Sequence, residues 1–277
     1  MDDEYSDTMK IGNRRVRNLI DIMKLSFAIP AYNEEDHIGL CLASILKETR
    51  NKPYGVQIVV VNNASTDRTA HIARSFAGVT VIDEPTKGLV RARQAGFKGS
   101  TGDIIANIDA DTILTPGWLD TVFREFSSDE KLVALSGPFI YHDLSTSIGL
   151  LVRVFYCLGF CCYLINRYVL RVGSMLQGGN FIVRRSALVK IGGYSEDFDF
   201  YGEDTDVACR LHAVGKVKFT FKLPIYTSGR RLQKEGLWQM GLKYSLNFFW
   251  TTFFRKPFTR YSIDIRTPLN IIDNQSL

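Results

Sequence analysis

Two aspartates separated by one residue, Asp109 and Asp111, close the short apolar run Ile104-Ile105-Ala106-Asn107-Ile108. Alternation along a strand would point both carboxylates the same way at its carboxyl end, the side on which ligands collect in open α/β sheets. Two hard anionic oxygens there suit Mg²⁺ or Mn²⁺, with water and phosphate oxygens completing the shell. The plainer reading of the same residues is a turn in which Asp caps the chain. Asp204, in Gly202-Glu203-Asp204, stands at the start of a helical segment. It can serve as a general base or cap the first turn with Asp206, and the helix dipole would keep it ionised. Other polar clusters are Pro30-Ala31-Tyr32-Asn33-Glu34-Glu35, the run from Asn62 to Thr69, Lys87 with Arg93, Gly178-Gly179-Asn180, and Arg230-Arg231. Tyr32 can stack on a flat base, and Asp67 can accept from a base or a ribose hydroxyl. Lys87 and Arg93 can neutralise phosphate, and paired arginines can clamp a diphosphate. Each cluster also has a structural use: Pro30 ends a strand, Asn33, Ser65 or Asp67 caps a helix, the glycines make a tight turn, and the cations sit in water.

The elements that must carry these groups alternate. Residues 25–29, 56–61, 79–82 and 104–108 read as strands, and residues 34–49, 70–76 and 89–99 as helices between them, the first capped by Asn33. This is the pattern of parallel βαβ units, and each polar cluster falls at a strand's carboxyl end. Past Asp111 the spacing predicts a helix opened by Pro116-Gly117-Trp118, a strand over 132–140, a glycine turn feeding a strand near 181–185, and a helical turn at 186–191. A helix through Val207 and Val214 and a strand-like segment over 216–226 follow. With 277 residues, 45% hydrophobic and 23% charged, the chain can bury a full core and is not disordered. Its net charge of +5 is spread along the sequence, so nucleic acid is not an expected partner. The five cysteines, Cys41, Cys209 and the group Cys157, Cys161 and Cys162, match neither a zinc spacing nor a disulfide framework and fit a reducing cytosol. Residues 1–10 are polar and acidic, unlike a signal peptide.

Taken in order, the segments at Pro30–Glu35, Asn62–Thr69, Lys87-Gly88 with Ala92-Arg93, Asp109-Ala110-Asp111, Gly178-Gly179-Asn180 and Gly202-Glu203-Asp204 resemble the inverting family 2 glycosyltransferases of GT-A fold, over about residues 25–228. Ser228-Gly229-Arg230-Arg231 is similar to a segment of some bacterial members. The resemblance implies an α/β fold, a Rossmann-like, mixed but mostly parallel sheet flanked by helices. It implies transfer of a sugar from a nucleoside-diphosphate sugar to an acceptor hydroxyl with inversion, assisted by Mg²⁺ or Mn²⁺. Asp111 would then ligate the metal, and Asp109 would reach ribose or a metal-bound water. Pro30, Tyr32, Glu34, Asn63, Asp67, Lys87 and Arg93 would meet the donor nucleotide. Gly179, Asn180 and Glu203 would meet the donor sugar or the acceptor, Arg230 and Arg231 the diphosphate, and Asp204 would be the base. The chain departs from the pattern at Asn62-Asn63, where paired aspartates are usual, and at Gln94, where Asn is frequent, which leaves the nucleotide base open. The implied division is an arm over 1–23, the transferase domain over 24–228 with an apolar helical insertion at about 146–172, and an aromatic and basic extension over 229–277. Two competing readings are a nucleotidyltransferase and a membrane-attached nucleotide-sugar binder without turnover. The first would place a glycine-rich loop where this chain has Pro30-Ala31-Tyr32; against the second stands Asp204 beside the intact Asp109/Asp111 pair.

Residues 148–170 are long and apolar enough for a membrane span, yet Arg153, Asn166 and Arg167 interrupt them. An interfacial helix fits better, and a helix packed on its own domain fits as well. Residues 236–260 combine Trp238, Tyr244, Phe248, Phe249, Trp250, Phe253 and Phe254 with Lys243, Arg255, Lys256 and Arg260. Such a stretch either lies on an anionic leaflet, here the inner face of a cytoplasmic membrane, or buries its aromatics in the fold or a dimer. In the first case a lipid-linked acceptor is expected beside the alternative of a cell-envelope glycan.

Overall fold

The computed structural model describes residues 23–170, 175–259, 264 and 266; the expected arm over 1–23 lies, except for Met23, outside them. The β-branched runs become strands β1 (Lys24–Ala31), β2 (Gly55–Asn63), β3 (Val79–Glu84) and β4 (Ile104–Ile108), joined by helices α1 (Ile38–Thr49), α2 (Thr69–Ser75) and α3 (Leu89–Gly99). After β4 come β5 (Thr112–Leu114), α4 (Trp118–Ser128), β6 (Leu132–Ser136), β7 (Phe139–Tyr141) and α5 (Thr146–Leu164), the last prolonged by a wider helical turn over Ile165–Leu170. The chain continues through β8 (Asn180–Arg184), α6 (Arg185–Lys190), α7 (Glu203–His212), β9 (Lys216–Phe219), β10 (Ile225–Thr227), α8 (Arg230–Glu235) and α9 (Leu237–Phe254).

Seven strands form one sheet in the order β3-β2-β1-β4-β8-β6-β9. Neighbours are parallel except β8, which runs antiparallel to both β4 and β6. Both faces are covered, as a parallel sheet requires. Phe27, Ile29, Ile104 and Ile108 meet Ile38, Leu42 and Ile45 of α1 and Trp118, Val122 and Phe126 of α4. Ala28, Ile105 and Phe181 meet Val90 of α3, Leu188 of α6, and Val207 and Leu211 of α7. A small sheet, β5-β10-β7, stands at the carboxyl ends of the large one.

Several local expectations give way. Pro30 lies inside β1, opposite Val61 of β2. The pairing of β1 with β4 ends at Ala28 and Asn107, so a residue without an N–H is tolerated beyond it. Asn33 caps no helix: it takes a left-handed φ of 50° and its Oδ1 accepts from the Thr66 backbone N–H at 2.8 Å, while α1 starts only at Ile38. The expected strand over 132–140 is broken by Gly137-Pro138 into β6 and β7, which belong to different sheets. A Cβ at Gly137 would lie 1.9 Å from the Leu223 carbonyl oxygen, so the crossing needs glycine. The segment over 216–226 divides likewise into β9 and β10.

Candidate active site

Strand β4 stops at Ile108, and Asp109-Ala110-Asp111 is a turn rather than a strand end, tied by Thr112, whose Oγ1 donates to the Asp109 carbonyl at 2.7 Å. Strand alternation therefore does not place the two carboxylates; the turn does, and both open onto one cleft of about 360 Å³. Asp111 Oδ2 accepts from Arg230 Nη2 at 2.9 Å, and the same nitrogen lies 2.5 Å from Glu34 Oε1. Arg266 Nε donates to Glu34 Oε1 at 2.6 Å. On Glu34 burial is outweighed by His37, Arg266 and Arg230, and its pKa falls to about 2. On Asp111 burial wins over Arg230, aided by repulsion from Glu34 and Asp109, and lifts the pKa to about 6. A half-buried carboxylate whose charge is so incompletely balanced, next to a second one, is a hard-oxygen set that fits a divalent cation. No group of three or more His, Cys, Asp or Glu converges among the described residues, so the remaining ligands would be water and phosphate oxygens.

The opposite wall is built from the first turn of α7. Gly202, at φ +82°, admits no side chain, because a Cβ would sit 2.5 Å from Thr251 Oγ1 of α9. Asp204 Oδ2 accepts from the Gly178 N–H at 3.0 Å and Oδ1 from the Thr205 N–H at 2.7 Å. Burial nevertheless raises the Asp204 pKa above the usual carboxylate range, against the expectation that the helix dipole would lower it. Beneath the floor, Arg93 is 1% exposed, with Nε 3.1 Å from Glu203 Oε1 and Nη2 3.4 Å from Asp109 Oδ1. It therefore ties the two sides of the cleft together. Glu203, buried beside Asp204 and Asp109, has its pKa pushed up to about 8, since burial and these neighbours outweigh Arg93.

Of the other sequence-predicted residues, Pro30, Tyr32, Asn63, Lys87, Gly178 and Arg231 also line the cleft. Lys87 Nζ sits 3.9 Å over the Tyr32 ring and 2.6 Å from Asp264 Oδ2. Asn63 accepts from the Gly88 N–H at 2.8 Å and donates to the Thr86 carbonyl at 2.7 Å, a pairing that needs an amide and that an aspartate could not make. Glu34, Asp67, Gly179 and Asn180 are not on the cleft wall. Asp67 accepts from the Thr69 and Glu35 N–H groups at 2.9 and 3.1 Å, which makes it a cap and a clasp. Asn180 is fully buried, donating to the Gly137 and Leu223 carbonyls and accepting from Trp118 Nε1. Gly179, at φ +82°, lies so close that a Cβ would come within 2.1 Å of Asp109 Oδ2. Gln94 turns away from the cleft and accepts from the Tyr194 N–H at 3.1 Å, so that departure from the family pattern does not touch the pocket. Phe139, Tyr141, Phe200, Asp264 and Arg266 line the cleft without having been singled out from sequence, and Tyr244, read there as part of an aromatic stretch, lines it too. Each arrives through tertiary packing, and only the aromatic density around Tyr244 offered a local signal.

The fold and cleft define an α/β protein with two acidic clusters facing each other across a nucleotide-type crevice. Residues 26–192 match the profile of Glycosyl transferase family 2, and the chain belongs to that family. It is 31% identical over 211 residues to the probable glycosyltransferase YdaM of Bacillus subtilis, covering 72% of this chain and 49% of YdaM. To a poly-beta-1,6-N-acetyl-D-glucosamine synthase of Staphylococcus aureus it is 24% identical, over 92% of this chain and 63% of the synthase. The chain thus spans about half to somewhat under two thirds of the length of these relatives. The fold is also that of the mannosyltransferase PcManGT from Pyrobaculum calidifontis, solved with GDP-Man and Mn²⁺, at a TM-score of 0.63 and 18% identity over 84% of this chain and 65% of that one. The architecture is accordingly of GT-A type.

Proposed function

We propose that the protein transfers a sugar from a nucleoside-diphosphate sugar to an acceptor hydroxyl with inversion. The observation that carries the reading is the convergence, on one cleft, of the Asp109-Ala110-Asp111 turn with a half-buried, hydrogen-bonded Asp204 from another part of the chain. Asp111, with Asp109 beside it, would hold Mg²⁺ or Mn²⁺, which supplies charge compensation for the departing diphosphate. Arg230 and Arg231, on the same wall, add positive charge for that leaving group. Asp204 takes the proton of the acceptor hydroxyl as its oxygen bonds to the anomeric carbon, while the bond from that carbon to the diphosphate oxygen breaks and the nucleoside diphosphate leaves. The raised pKa of Asp204 makes its ionised form a stronger proton acceptor. The bonds from Gly178 and Thr205 fix which way the carboxylate faces. Tyr32 under Lys87 offers a flat surface beside positive charge for the nucleotide.

Calorimetric titration with UDP, GDP and dTDP, in Mn²⁺ and in chelator, tests the reading. One nucleotide is expected to bind in a metal-dependent way. Asp111→Asn should weaken that binding about tenfold or more, whereas Asp204→Asn should leave it intact and lower turnover by roughly 100-fold or more. Absence of nucleotide binding by the wild type, or full turnover by Asp204→Asn, would overturn it.

A further inference from the structure

A second cavity, of about 790 Å³, opens beside the catalytic cleft and shares Phe139 and Tyr141 with it. One wall is α5, through Gly149, Leu150, Val152 and Arg153, and the other is the Pro138–Tyr141 segment with Phe221 and Pro224. Tyr156 stands where the two spaces meet: its hydroxyl accepts from the Phe139 N–H at 3.1 Å and donates to Gln177 Oε1 at 2.9 Å. Gln177 lines the cleft and precedes Gly178, the residue that holds Asp204. A largely apolar groove thus adjoins the cleft that holds Asp204, with Phe139 and Tyr141 common to both.

The groove lies under a large apolar face. Helix α5 and its extension form 25 residues, long and apolar enough to cross a membrane, with only 11% of the most apolar stretch buried. They do not stand away from the domain, however. Tyr156, Phe160 and Tyr163, at helical spacing, pack along it: Tyr156 and Phe160 against Phe219, Phe160 against Phe221, and Tyr163 bonded to the Val217 carbonyl. The helix therefore lies flat on the domain, and Leu150, Leu151, Val154, Phe155 and Leu158 face outward. Helix α9 joins α5 through Val152, Leu232 and Met240, and leaves Trp238, Leu242, Phe253 and Phe254 exposed, Trp238 by 82%. The two helices carry no acidic residue of their own; Arg153 lies among the outward side chains of α5, while Arg167 turns onto Tyr163 and the Val217 carbonyl and Lys243 pairs with Glu235 of α8 at 2.8 Å. Exposed aromatic and aliphatic side chains on both helices, with the exposed cations Arg153, Arg255 and Lys256 beside them, match an anionic lipid surface.

Resting on the transferase reading above, we infer that the acceptor is a membrane lipid: α5 and α9 lie on the lipid surface, the groove along α5 holds the lipid chain, and the hydroxyl-bearing end reaches Asp204 past Phe139 and Tyr141. Gly149 gives a test, because a Cβ there meets nothing within 4 Å and the residue lines the groove, so Gly149→Trp starts its side chain in open space and puts an indole at the groove wall; circular dichroism checks that the variant is folded. Wild type should sediment with vesicles of phosphatidylcholine holding about one-third phosphatidylglycerol, and Leu150→Glu/Leu158→Glu should do so about tenfold less well. With labelled UDP- and GDP-sugars and the same vesicles doped with total membrane lipid extract, label should enter the organic phase, and Gly149→Trp should cut that about tenfold while nucleotide binding stays within about twofold. Label found only in water-soluble product, undiminished lipid labelling by Gly149→Trp, or a stable dimer that buries α5 and α9 and ignores vesicles would each overturn the inference. If the wild type binds nucleotide but not vesicles, the lipid acceptor fails and the transferase reading stands; if it binds no nucleotide, both fall.

Discussion

Glu203→Gln isolates a buried carboxyl that the fold holds against its own chemistry. Glu203 Oε2 has no hydrogen-bond partner and Oε1 faces Arg93, so glutamine keeps the shape and the acceptor while removing a titrating proton. The pKa rises from 4.5 to about 8 on folding. Between those values the folded protein holds a proton that the unfolded chain has lost. Stability is therefore greatest below about pH 4.5 as far as this group is concerned, falls by somewhat over 1 kcal/mol per pH unit through the window, and levels off above about 8. The whole window amounts to about 5 kcal/mol as an upper bound, and the part between pH 6 and 8 to about half of that. For a chain of this size that half corresponds to roughly 4 °C in Tm. Thermal unfolding of wild type and Glu203→Gln at pH 6, 7 and 8 reads it directly: the wild type should lose Tm relative to the variant as pH rises. Parallel curves would refute the argument, because they would mean that Glu203 ionises in the folded protein as it does in the unfolded chain.

Gly179→Ala should keep the fold but disturb the acidic turn, since a left-handed φ costs an alanine about 1–2 kcal/mol and its Cβ must push Asp109 away from Arg93. Mn²⁺-dependent nucleotide affinity, measured by calorimetry, should drop about tenfold with a smaller change in far-ultraviolet circular dichroism. Asn180→Leu leaves the Gly137 and Leu223 carbonyls and the Trp118 indole N–H unpaired in the core. Denaturant titration should show a loss of about 2–4 kcal/mol.

Much of the first half of the molecule is legible from local pattern. The runs that give β4 and α3 end at the residues where periodicity ends them, because the sheet's central strands are buried on both faces and each βα unit is completed by its neighbours in sequence. The second half is less so. Residues 132–140 are continuous in composition, yet Gly137 must cross against the Leu223 backbone, and that contact is eighty-six residues away along the chain. Sequence proximity likewise misassigns Gln94, which completes a loop over Tyr194 rather than entering the cleft. It also misses the direction of the Asp204 shift, since a helix start is visible in sequence whereas burial is not.

The sequence by itself determined the βα order, the acidic turn after β4, the glycine turn before β8 and the carboxylate at the head of α7, because each depends on residue types within a few positions. Only the tertiary structure decided that Arg230 reaches Asp111 and Glu34 across 119 and 196 residues, that Arg93 is sealed beneath both acidic clusters, and that an apolar groove along α5 adjoins the cleft at Phe139 and Tyr141. Such contacts depend on which surfaces the whole core brings together, and burial and charge compensation then set how each group ionises.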